Sequence, residues 1–99
     1  MTAPIRLVPP RHSGSREQAQ RLVENLDHDL SAVPLVLECG GLEVTTPSFL
    51  DELVKETLVV RKARLLEIED ASARTGTLIQ RAADNRQVAD RLNVALRAA

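Results

Sequence analysis

The tightest constraint on this chain is a change of period near its middle. Val33-Pro34-Leu35-Val36-Leu37 is almost unbroken apolar sequence, and the stretch to Cys39 is bounded by Pro34 and by Gly40-Gly41. On either side the apolar residues recur at helical spacing instead. A short apolar run between amphipathic helices predicts a central parallel strand buried on both faces. Glu38, at the end of that run, is expected at the carboxyl edge of the strand, near solvent. The fold class follows: α/β, with the rest of the chain supplying the neighbours that such a strand needs.

Those neighbours are readable in outline. Ile5-Arg6-Leu7-Val8 lies between Pro4 and Pro9-Pro10, a candidate edge strand within an N-terminal arm over residues 1–14. Arg11-His12-Ser13-Gly14 reads as a turn. Ser15 followed by Gln18 forms a capping box, and Ala19, Leu22, Val23, Leu26 and Leu30 continue a helix over 15–30. After the glycine pair, Leu42-Glu43-Val44 is extended. Pro47 suits the first position of a helix and makes Thr46 its N-cap, with the helix running to about residue 60. The next strand is read over 63–69. Beyond Asp70 the pattern is helical to the end, with residues 72–97 forming one bent helix or two split at Asp84-Asn85. Strands alternating with helices predict right-handed βαβ crossovers. We therefore expect one domain over residues 1–99, a small, mostly parallel sheet with helices packed on it.

Composition narrows the function. A chain of 99 residues can bury about 65% of its surface, enough for one core. Phe49 is the only aromatic residue, so the aromatic platforms on which single strands stack are missing. A formal net charge of −1 argues against nucleic acid as a partner. No apolar run approaches the ~20 residues of a membrane span. Cys39 is alone and cannot staple the fold, which fits a cytoplasmic setting. Met1–Pro10 shows no cationic stretch followed by an apolar core, so no signal peptide is expected.

Searches for chemistry return little. Gly-rich phosphate loops and a nucleophile elbow are absent from the sequence. His12 and His28 are the only histidines, and His28 sits between Asp27 and Asp29, which point to different helical faces, so no metal site is expected. Cys39, following an apolar strand, reads as a buried structural thiol. Asp51 and Glu52 read as ordinary complements of a helix dipole. Arg81, Arg86, Arg91 and Arg97 read as one solvated helix face. Neither Cys39 nor Ser48 has a sequence-visible base, so an enzyme is not expected, and no cofactor is implied.

One segment carries a family resemblance. Leu35-Val36-Leu37-Glu38-Cys39-Gly40-Gly41-Leu42-Glu43-Val44-Thr45-Thr46-Pro47-Ser48-Phe49-Leu50-Asp51-Glu52-Leu53 resembles the signature of STAS domains. It is most similar to their small STAS-like relatives, which carry a Ser-Phe-x-Asp-Glu-Leu helix start. Ser15-Arg16-Glu17-Gln18-Ala19 is similar to the opening of their preceding helix, and the likeness covers about residues 15–80. The resemblance implies a regulatory protein–protein interaction module of the anti-sigma factor antagonist type, in a bacterial cytoplasm. Its partner would be a kinase-like ATPase or anti-sigma regulator, with binding switched by phosphorylation at the helix start. Ser48 is the equivalent position and Thr46 a neighbouring candidate, although Thr46-Pro47-Ser48-Phe49 stands where phosphorylated members carry Asp-Ser-Ser-Gly. The expected partner-binding residues are Glu43, Val44, Thr45, Thr46, Pro47, Ser48, Asp51 and Glu52. The alternative is a phosphorylation-independent adaptor or oligomerising accessory subunit, using exposed Leu or Val on the last helix as its contact; the oligomeric state is open.

Overall fold

The apolar run is extended, as its period requires. In the computed structural model, which describes residues 3–98, it forms β3, Pro34–Glu38. Met1, Thr2 and Ala99, which the expected domain and arm include, lie outside the described residues. Around β3 the chain runs β1 (Ile5–Leu7), β2 (His12–Ser13) and α1 (Arg16–Val23) before it, and β4 (Val44–Thr45), α2 (Pro47–Val54), β5 (Leu65–Ala71), α3 (Ala73–Asn85) and β6 (Leu92–Leu96) after it. The main sheet has the order β1-β3-β5-β6, and every pair in it is parallel. β2 and β4 make a separate two-stranded parallel ribbon, where Arg11–Gly14 was expected to be only a turn.

This order positions everything else. Each crossover advances one place in the same direction, and right-handed crossovers then put α1, α2 and α3 on one face of the sheet. Leu35 and Leu37 of β3, with Leu66 and Ile68 of β5, belong to one core with Ala19 and Val23 of α1, Leu50 and Leu53 of α2, and Ile79 and Ala83 of α3. The other face carries Arg6, Val36, Glu67 and Asn93 in register. There Arg6 donates to Glu38 at 2.9 Å and to Glu69 at 3.0 Å. The expected burial of β3 on both faces holds, since Leu35, Val36 and Leu37 are all buried. Helices cover only one face, and on the other Val36 lies in register between Arg6 of β1 and Glu67 of β5.

The helices follow local chemistry at their starts and tertiary demands at their ends. Ser15 Oγ accepts from Gln18 N at 3.1 Å while Gln18 Oε1 accepts from Ser15 N at 3.1 Å, the expected capping box. α1 stops at Val23, short of residue 30. Asp29 Oδ1 accepts from Ser31 N at 3.0 Å, a side-chain turn that competes with helix. Leu30 is still buried, its N–H bonded to the Arg61 carbonyl at 2.8 Å. α2 widens after Val54 into a π-type turn over Lys55–Val60, where Arg61 N reaches back five residues to Glu56 O at 3.3 Å.

The largest correction is at the C-terminus. Residues 72–97 form neither one helix nor two: α3 ends at Asn85, Gln87 takes a φ of 59°, and β6 follows. Leu92, Val94 and Leu96 lie at a period of two, and Leu92 and Val94 pair with Leu66 and Ile68 on the helix-covered face.

Candidate functional site

In a parallel sheet all strands end on the same side, so the loops leaving β1, β3 and β5 gather there, leading to the capped starts of α1, α2 and α3. Ser15, Thr46 and Ser72 are the three N-caps. β2 and β4 are built from the first two of these loops. Thr45 Oγ1 donates to Ser13 O at 2.9 Å, and Arg74 at the start of α3 donates to Thr45 O at 3.0 Å. Thr46 joins the same knot: its hydroxyl donates to Gly14 O at 2.9 Å and accepts from Phe49 N at 3.2 Å.

The eight expected partner-binding residues divide on this frame. Glu43, Val44, Pro47 and Ser48 are exposed, and Thr46 and Asp51 half-buried. Glu43 accepts from Arg11 at 2.9 Å, and Val44 is 54% exposed. Thr45 and Glu52 are buried, at 4% and 2% exposure, and their side chains are turned away from any docked surface. The expectation that Thr45 and Glu52 meet a partner is thereby corrected: the β2–β4 ribbon takes Thr45 inward, and Glu52 faces Gln20 of α1. The Ser48 hydroxyl, on the first turn of α2, makes no hydrogen bond among the described residues and opens on a cleft of about 340 Å³ shared with Arg16, Asp51 and Arg81.

Asp51 and Glu52 are not simple dipole complements. Arg86, just beyond α3, donates to both Asp51 oxygens at 2.8 Å, and Arg16 of α1 adds a third bond at 2.9 Å. These contacts, Arg86 first, hold the Asp51 carboxyl down at about 2. Glu52 accepts from Gln20 at 2.9 Å and from Arg16 and Lys55 at 3.3 Å, and these bonds, led by Gln20, lower its pKa despite burial. One carboxylate pair therefore ties α1, α2 and α3 together. Of the arginines expected on a solvated helix face, Arg81 and Arg97 are exposed, although Arg97 donates to Cys39 O, whereas Arg86 and Arg91 are half-buried and reach into the fold. No spacing rule could have found Arg16 or Arg86, each 35 residues from Asp51.

Nucleophilic chemistry is weakly served. Cys39 is 1% exposed, and burial pushes its thiol up to about 11, which keeps it protonated at neutral pH. Among the described residues no group of three or more His, Cys, Asp or Glu is placed to hold a metal ion, and no helix is long and apolar enough to cross a membrane. What the rim offers is shape, a free hydroxyl and charge. Compared with protein-family models, with curated proteins and with solved structures, the chain finds no match.

Proposed function

We propose that the rim from Glu43 to Ser48 docks a regulatory protein in the manner of STAS-type anti-sigma factor antagonists, and that phosphorylation of Ser48 switches the docking. The partner in this reading is a kinase-like ATPase or anti-sigma regulator of a bacterial cytoplasm, with no nucleic acid, cofactor or catalysis by this chain. One observation carries it: Ser48 is exposed and unbonded on the first turn of α2, at the carboxyl side of the sheet. Thr46 is the poorer acceptor, because both of its hydroxyl bonds would be lost.

The physics favours a switch that spares the fold. A phosphate on Ser48 adds about −1.5 to −2 charge at the positive end of the α2 dipole, which tolerates it. The phosphate would lie one helical turn before Asp51, in the cleft that Arg16 also lines. Arg16 then has two anions to choose between, and the rim turns negative beside Val44 and Pro47. A partner shaped for the uncharged rim is repelled.

The test is capture from the native host with wild type, Ser48→Ala and Ser48→Asp as baits. The switch reading expects one partner held by wild type and alanine and lost with aspartate. Equal recovery by all three overturns it. Stability separates the two hydroxyls: Ser48→Ala should change unfolding by less than about 0.5 kcal/mol, whereas Thr46→Ala should cost about 1–2 kcal/mol.

A further inference from the structure

The two edges of the sheet are unlike. β1 is three residues long, hemmed by Pro4, Pro9 and Pro10, and it carries Arg6. Short length, proline and charge are the usual guards against edge-to-edge pairing. β6 has none of them: Leu92-Asn93-Val94-Ala95-Leu96 is five residues without charge, proline or glycine, and among the described residues it pairs only with β5. Its outward backbone groups face solvent, Leu96 is 57% exposed and Val94 half-buried. Along it runs a groove of about 480 Å³, walled by Thr77, Gln80, Arg81 and Asp84 of α3 and floored by Val94 and Leu96. A Cβ at Gly76 would lie 2.7 Å from Leu96 Cδ2, so the glycine lets the strand lie close against the helix.

We infer that a second copy of this chain fills this edge, its β6 antiparallel to the first across a two-fold axis through Val94. An isologous contact sets a patch against itself, so the patch must be self-complementary. β6 is: about Val94, Leu92 meets the copy's Leu96 and Val94 meets Val94, all on the helix-covered side. The helix agrees. Gly76 is level with Val94 and Leu96, and a helix rises about 1.5 Å per residue against about 3.3 Å for a strand. The axis therefore passes α3 between Thr77 and Gln80, so that Thr77 of one copy meets Gln80 of the other, both uncharged, while Arg81 and then Asp84 fall progressively further from their own copies. Arg91 and Arg97 flank the strand, but each is drawn into its own protomer: Arg91 by the Ala63 and Leu58 carbonyls, Arg97 by those of Cys39 and Asp70. Pairing leaves the joined sheet with only the two guarded β1 edges. This surface shares only Arg81 with the Ser48 cleft, and its test reads mass rather than partner capture.

Sedimentation equilibrium of the purified chain from about 1 μM to about 1 mM tests the inference. The expected result is the mass of two chains at the upper end. Leu96→Lys alters a side chain that is 57% exposed, so it should raise the dimer Kd at least tenfold while leaving the melting curve of the dilute single chain in place. Thr77→Glu should weaken association as well, by bringing two like charges to the axis, and Thr77→Glu with Gln80→Lys should restore it. A single-chain mass at every concentration overturns the inference and opens the groove to a foreign strand instead. A dimer indifferent to all three variants overturns it equally.

Discussion

At the scale of single residues, the most informative group is Asp51. Its carboxyl falls from an ordinary value of 3.8 to about 2 on folding, through Arg86 and Arg16. Its side chain is 26% exposed, so most of the shift acts on stability, at about 2 kcal/mol. The sign follows from the lowered pKa. The contribution is complete above the unfolded value near 4 and drains away as pH falls through about 2. Asp51→Asn should therefore unfold at lower urea than wild type at pH 7, with the gap closing between about pH 4 and pH 2. A gap constant across that range would show that Asp51 contributes nothing ionic. Residues whose partners are near in sequence were legible: Thr46 and Ser15 as caps, because a cap bonds three residues away. Asp51 and Glu52 were misjudged, because their partners arrive from α1 and from the end of α3, and only the folded sheet order brings those together.

At the scale of elements, helix starts were readable, but of the ends only that of the second helix, expected near residue 60 and closed by the π-type turn at Val60. Starts are fixed by local polar chemistry, ends by what the rest of the fold withdraws. The end of α2 shows this: Arg91 donates from a distance to Leu58 O within the π-type turn at 2.8 Å and to Ala63 O, three residues beyond the turn, at 2.6 Å. Arg91→Ala strands both carbonyls in a half-buried site. Charge-assisted bonds of this kind contribute roughly 1.5–3 kcal/mol, so urea unfolding should show a loss of about 2 kcal/mol or more, with Arg91→Lys recovering part of it. A change under about 0.5 kcal/mol would mean that water replaces the guanidinium. β6 was missed for a related reason. Val88, Leu92, Ala95 and Leu96 fit a helical stripe, and Leu92, Val94 and Leu96 fit a strand equally well. The alanine- and arginine-rich context tips a local reading toward helix, and the vacant side of β5 decides for strand.

At the scale of the whole molecule, one face of the sheet holds three helices and the other a thin polar layer centred on Arg6, Glu38 and Glu69. The central strands therefore carry the cooperative unit. β3 and β5 are flanked on both sides and place Leu35, Leu37, Leu66 and Ile68 in the core with no exposure, so their amides should exchange with solvent only through global unfolding. β1 and the β2–β4 ribbon are short, and should exchange by local opening at lower free energy. β6 is the discriminating strand. In a lone chain it is an edge and should exchange like one, yet in the symmetric pair it becomes interior to an eight-stranded sheet. Exchange measured on dilute and concentrated samples should accordingly slow over Leu92–Leu96 as concentration rises, while Ile5–Leu7 stays unchanged. Equal slowing at both edges would indicate general stabilisation, and no slowing at β6 would leave that strand an unpaired edge at any concentration reached.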